Sequence, residues 1–225
     1  MIDAMDESPR ARREAELVAY YDNELHERAD RALPTARVAR RTKFVDLLLR
    51  EEVDSVLEVG AGPGRDGAVF AAAGLAYTGV DLAPQSAVIA RSLGLDVRVA
   101  SVLDLPFEDA TFGAGWTMST LLHVADGDLD AALAEIIRVL RPGAPLAIGL
   151  WGNETGGEYH WDDSSAHGPA RFFSIRTDDT LRTTLARHGT LEEWLTWRDG
   201  GSMHYQWAVL RTAQRRTSET ELRRT

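Results

Sequence analysis

The chain has 225 residues, 44% of them hydrophobic and 27% charged, enough to bury one sheet-and-helix core but cramped for two domains. Its formal net charge of -10 sets the surface as a whole against phosphate backbones, and the absence of cysteine excludes disulfides, thiolate metal sites and thiol nucleophiles. No run approaches the roughly 18 apolar residues of a membrane span and the charged start has no signal-peptide core, so a cytoplasmic protein without nucleic-acid or membrane partners, monomer or homodimer, is expected.

In chain order, Ser8 and Pro9 start a helix with Leu17, Tyr20, Tyr21 and Leu25 on one face. Pro34 opens a second, whose apolar stripe is Val38, Val45, Leu48 and Leu49. The period then changes: Ser55 to Val59 reads as a strand, the glycines after it as a tight turn, and Arg65 to Ala73 as a helix closed by Gly74. The alternation continues with strands at Ala76 to Asp81, Asp96 to Ala100, Ala114 to Met118 and Leu146 to Trp151. Helices are expected from Pro84 to Ser92 and from an Asp126 cap to Arg138. Strands separated by helices of this length predict a doubly wound, Rossmann-like α/β sheet, mostly parallel, with ligands beyond the carboxyl ends of the strands.

Gly152 to Ala170 has no period and reads as a long loop of the kind that carries substrate specificity. Thr177 caps a last helix to about His188, and Thr190 to Trp197 with His204 to Leu210 form an antiparallel hairpin around Asp199, Gly200 and Gly201. In the second of these strands Met203, Tyr205, Trp207 and Val209 share a face and read as core. The expected organisation is two N-terminal lid helices in 1–50, a core over 51–211 and a frayed polar tail at 212–225.

The densest chemical signal is Glu58, Val59, Gly60, Ala61, Gly62, Pro63, Gly64 between a strand and a helix, where glycines let the backbone approach a ligand and the helix start offers free N–H groups. The dinucleotide fingerprint needs a third glycine where Arg65 stands, which counts against a nicotinamide cofactor. Glu58 is an acid at the end of a buried strand and requires a partner. Asp81, ending the next strand, can accept hydrogen bonds from both hydroxyls of a ribose or cap the following helix.

Together with Leu105-Pro106-Phe107 and Arg138-Val139-Leu140-Arg141-Pro142-Gly143, these residues resemble the class I methyltransferases that use S-adenosylmethionine (SAM), in the small-molecule branch with an LPF motif. The resemblance spans roughly Tyr20 to Arg211 and implies methyl transfer from SAM to a small-molecule acceptor, at oxygen or nitrogen rather than carbon, with S-adenosylhomocysteine (SAH) as product. It implies that Gly60, Ala61, Gly62 and Gly64 line the methionine part of SAM, that Glu58 orients this turn, and that Asp81 with Leu82 holds the ribose. Val102 would flank the adenine, Ser101, Leu103 and Met118 are further cofactor-binding candidates, and Tyr20 and Tyr21 resemble the aromatics of the helix that closes over SAM, whose sulfonium favours an aromatic face. Two departures stand out: an acid usual at the adenine is Ser101 here, and Phe112 is followed by Gly113 rather than Asp.

His123 follows the fourth strand where the family often has a histidine near the acceptor, and it could remove a proton or fix the loop. Trp151, Tyr159, His160, Trp161 and Phe172, with Phe173, are the candidate acceptor wall; His160, Asp162, Asp163 and His167 match no metal-ligand spacing. Two other readings follow from the same residues: a SAM- or SAH-binding module without catalysis, suggested by Ser101, and an NAD(P)-dependent oxidoreductase, disfavoured by the glycine spacing. RNA or protein methylation would need the small basic patch of Arg37, Arg40 and Arg41.

Overall fold

The computed structural model describes residues 8–30, 32–162, 168–198 and 201–214, with backbone alone for 25–30. Its elements are α1 (Pro9–Asp30), α2 (Thr35–Arg50), β1 (Ser55–Val59), α3 (Arg65–Ala72), β2 (Ala76–Asp81), α4 (Pro84–Ser92), β3 (Asp96–Val99), β4 (Ala114–Met118), a 3-10 turn (Leu121–His123), α5 (Asp126–Val139), β5 (Pro145–Gly152), β6 (Gly157–Trp161), β7 (Arg171–Ile175), α6 (Asp178–His188), β8 (Gly189–Trp197) and β9 (His204–Thr212). Seven strands form one sheet in the order β3-β2-β1-β4-β5-β9-β8. The first five pair in parallel, and β9 and β8 close the sheet antiparallel.

Residues of β1 alternate between the two faces of this sheet. Leu57 and Val59 pack with Leu133 and Ile136 of α5 and Leu181 of α6, whereas Val56 packs with Phe44 of α2 and Phe70 of α3. Chain order reverses between β1 and β4, so the connections after them leave to opposite sides and a crevice opens at their carboxyl ends.

Several expectations need correction. The 152–170 segment is not a plain loop: β6 lies within it and pairs antiparallel with β7 as a separate two-stranded sheet. Its strand has the burial pattern of a mostly exposed ribbon, so no apolar alternation marks it in the sequence. Asp126 does not cap α5; Ala125 holds that position, and the Asp126 carboxylate turns to Arg176 and the Ser174 hydroxyl. Of the expected stripe on α2, Val45 and Leu48 are buried beside Phe44, but Val38 and Leu49 face solvent. The β9 strand is buried on both faces, Ala208 and Leu210 packing in the layer with α5 and α6 and Trp207 and Val209 in the layer with α2 and α3. Leu25, Asp163, His167, Asp199, Gly200 and most of the tail lie outside the residues whose side chains are described.

Nor do Arg37, Arg40 and Arg41 form a basic patch. Arg37 and Arg41 both grip Asp66 of α3, and Arg40 pairs with Glu193 at 3.1 Å. Asp66 is buried and also accepts the indole N–H of Trp116 at 3.1 Å. Burial pushes its carboxyl up, but the two guanidiniums outweigh that and hold it below the ordinary aspartate value. This cluster docks α2 onto the sheet at the edge of the crevice. Asp66→Asn leaves two guanidiniums without a counter-charge, so we expect a loss of about 3–5 kcal/mol. In thermal unfolding this reads as a fall in Tm of roughly 10 °C, and an unchanged Tm contradicts the assignment.

Candidate functional site

The glycine turn after β1 is fixed by backbone hydrogen bonds to β2. The carbonyl of Val80 accepts from Gly60 N–H at 2.8 Å and from Ala61 N–H at 2.9 Å. Gly60 has φ of +82°, and a Cβ there would run into the Thr120 side chain that roofs it. At Gly62 φ is +53° and a Cβ would meet nothing within 4 Å, so the backbone there borders open space. The Asp81 carboxylate takes the Gly62 N–H on one oxygen at 2.7 Å and the Ala83 N–H on the other at 2.9 Å.

Around this turn lies a partly open cleft. It brings together Tyr21, Gly60, Gly62, Asp81, Leu82, Ser101, Val102, Leu103, Met118 and His123 from the sequence assignment. Ser119, Thr120, Asp128 and three residues of α1, Arg10, Arg13 and Glu14, also line it and were not anticipated. Ser101 donates to Glu14 Oε1 at 2.7 Å, so a carboxylate does stand at that end of the cleft, contributed by α1. The 87-residue separation leaves no local sequence signal for this pairing. Gly113 also has a reason: a Cβ would come within 2.8 Å of Val53 Cγ1.

Other assigned residues lie elsewhere. Tyr20 is buried beneath the Arg171 guanidinium, 4.0 Å from its ring centroid, and does not line the cleft. Gly64 caps α3 in the left-handed conformation and packs toward Leu95. Glu58 and Ala61 line a second cavity, together with Arg37, Trp151, Trp197 and Tyr205. The expected aromatic wall is thereby split. Trp151 belongs to this second cavity, whereas Tyr159, His160, Trp161 and Phe172 sit on the β6–β7 hairpin, where Phe172 faces Arg13 and His160 reaches to 3.7 Å from Glu16 of α1.

His123 is held at both ring nitrogens. Nδ1 lies 2.8 Å from the Phe172 carbonyl oxygen, which can only accept, so Nδ1 carries a proton. In the neutral ring Nε2 then accepts from the Tyr21 hydroxyl at 2.6 Å. The turn carrying His123 is stapled from below by the buried Arg176, which donates to the carbonyls of Leu121 at 3.0 Å and Val124 at 2.7 Å.

Residues 56–143 match the family described as "Methyltransferase domain". An O-methyltransferase of Penicillium expansum is 35% identical over 104 residues, covering 42% of this chain and 37% of that protein. A 37.1 kDa protein from a transposon of Streptomyces fradiae is 35% identical over 169 residues, covering 71% of this chain and 46% of its own length. The chain thus spans less than half the length of these two curated relatives. Among solved structures, the N1-methyltransferase of Burkholderia thailandensis, crystallised with 1,6-didemethyltoxoflavin and SAH, superposes with a TM-score of 0.70 at 24% identity, over 89% of this chain and 88% of that one. The architecture is the class I methyltransferase fold.

Glu58 is buried, and its Oε2 accepts from the Tyr77 hydroxyl at 2.7 Å. Burial, reinforced by the negative charge of Asp66, raises its pKa well above the ordinary glutamate value. A carboxyl whose folded pKa is raised stabilises the fold fully below its unfolded value, about 4.3, and that contribution is lost as pH rises toward the folded value. Glu58→Gln should therefore flatten the decline of Tm above pH 5, the difference from the parent growing by at most about 1.4 kcal/mol per pH unit. Parallel Tm-versus-pH curves for the two proteins would contradict a neutral Glu58.

Proposed function

From a chain that has the class I methyltransferase fold and carries the methyltransferase-domain family over residues 56–143, we propose a SAM-dependent methyltransferase acting on a small molecule at oxygen or nitrogen. The observation that carries this reading is the pairing of the open Gly62 backbone with Asp81, whose two oxygens are already aimed by backbone amides. Such a carboxylate accepts the two hydroxyls of a ribose, with the glycine turn beside it taking the methionine chain. Glu14 and Ser101, hydrogen-bonded to each other in the same cleft, would meet the base.

SAM supplies an activated methyl group; the chain supplies placement. Methyl transfer neutralises the sulfonium as the acceptor attacks in line, so alignment and exclusion of water carry most of the rate. Tyr21 and Leu17 of α1 line the cleft. His123 serves as proton acceptor: with Nδ1–H tied to Phe172, its basic atom is Nε2, which the Tyr21 hydroxyl occupies and which an acceptor proton reaches directly or through that phenol.

Calorimetric titration with SAM, SAH and NAD tests the cofactor. Micromolar binding of the adenosyl ligands and none of NAD is expected, with Asp81→Ala weakening SAH by about 10- to 100-fold through loss of two charge-assisted hydrogen bonds. Binding of NAD, or of neither ligand, would falsify the reading. Once an acceptor is turned over, His123→Ala should lower kcat by about 10²- to 10⁴-fold with KM for SAM little changed. Unaltered turnover removes His123 as the base, and binding without turnover of any acceptor leaves the non-catalytic SAM-binding module.

A further inference from the structure

The cleft and the second cavity are separate spaces that share four residues: Gly60, Gly62, Met118 and Ser119. These stand at the carboxyl ends of β1 and β4, so the two spaces adjoin along a shared rim, the throat. If the cleft takes the cofactor as proposed above, its reactive end lies at that throat, and the second cavity is the adjoining volume.

Aromatic side chains wall the far side of this cavity. Tyr205 lies tilted against Trp197, with ring centroids 4.9 Å apart, and edge-on to Trp151 at 5.2 Å. Tyr205 is buried, but both tryptophans are only partly so and leave ring surface toward the cavity. The charged groups at the opposite wall include Arg37 and Asp66, which are spent on each other.

Ser119 is the polar feature of the throat. It is a non-glycine residue at φ of +55°, a left-handed conformation that costs energy in a serine. A backbone bond holds it there, its N–H donating to the Gly149 carbonyl at 2.6 Å. The result aims its hydroxyl at Tyr205 Oη, 3.1 Å away, on the border of both spaces.

We propose that the second cavity is the acceptor chamber, that it takes a planar aromatic alcohol between Trp151, Trp197 and Tyr205, and that the Ser119–Tyr205 hydroxyl pair positions the reacting oxygen at the throat. This rests on the methyltransferase reading for its chemistry. The acceptor oxygen donates the electron pair of the new O–CH3 bond, the S–CH3 pair returns to sulfur to give SAH, and the hydroxyl proton leaves to the site's base. Flat ring faces fit an aromatic wall through offset stacking and edge contacts that a saturated ring of the same size cannot make. A hydroxyl at the throat can both donate to and accept from the serine–tyrosine pair.

The test is calorimetry of the full chain saturated with SAH, titrated with 2-naphthol, naphthalene and decahydro-2-naphthol. We expect 2-naphthol to bind about tenfold more tightly than its saturated analogue, and Trp197→Leu to remove most of that preference while SAH affinity stays within about twofold. Ser119→Ala should reduce 2-naphthol to the affinity of naphthalene. Should Trp197→Leu fail to fold by circular dichroism, Trp151→Leu replaces it. Equal binding of the flat and saturated alcohols, no binding of 2-naphthol, or indifference to both substitutions overturns the proposal even when SAH binds normally. Failure of SAH to bind overturns the cofactor reading instead, and the same naphthol titrations on the free protein then decide the cavity by themselves.

Discussion

Everything at the crevice hangs on the seam between the ends of β1 and β2. One carbonyl, that of Val80, and one carboxylate, that of Asp81, between them take the N–H groups of Gly60, Ala61, Gly62 and Ala83. Buried amides must be paired, and here four of them are paired by two consecutive residues. The turn thus cannot shift without unpairing β2 or the start of α4. That rigidity leaves the backbone of Gly62 bare toward the cleft, and Asp81 is aimed before any ligand arrives.

Around this seam, charge is sorted by depth. Asp66 stays ionised because two guanidiniums and an indole N–H surround it, while Glu58, on the adjacent strand end, is driven toward its neutral form. Two acids in neighbouring positions therefore differ in state, and the difference comes from which of them α2 reaches. The helix pair α2–α3 is docked by that ionised cluster together with Phe44 and Phe70 against Trp116. The floor of the second cavity and the packing of the sheet's helices thereby share residues.

Much of the architecture was legible in the sequence. The switch from helical to strand period at Ser55, the glycine turn, and the Pro84 and Thr177 helix starts all appear where local chemistry places them, because local steric rules govern those positions. What stayed hidden depends on residues far apart in sequence. The β6–β7 ribbon has little apolar alternation because both faces are largely open, and Asp126 left its capping role for Arg176, a buried cation 50 positions away that sequence cannot pair with it. Of the two adjacent tyrosines, either could have faced the cleft; only helix phase relative to β7 turns Tyr20 toward Arg171 and Tyr21 toward His123. Trp197 reads merely as strand, since nothing in its neighbours says that it flanks Tyr205 across from Trp151.

The α1 helix buries Leu17 and Tyr20 and adds polar contacts to them: Glu14 to Ser101, Arg13 to Asp128 at 3.1 Å, Tyr21 to His123, and Asp22, which accepts from the Gln85 backbone at 3.0 Å at the start of α4. Contacts of this kind are weakened by dissolved salt far more than apolar packing is. Where α1 borders the cleft, any loosening of that helix widens an opening the cleft already has. Higher ionic strength therefore slackens the Arg13–Asp128 pair on that border, and the width of the opening answers to the surrounding solution as well as to the residues that line it.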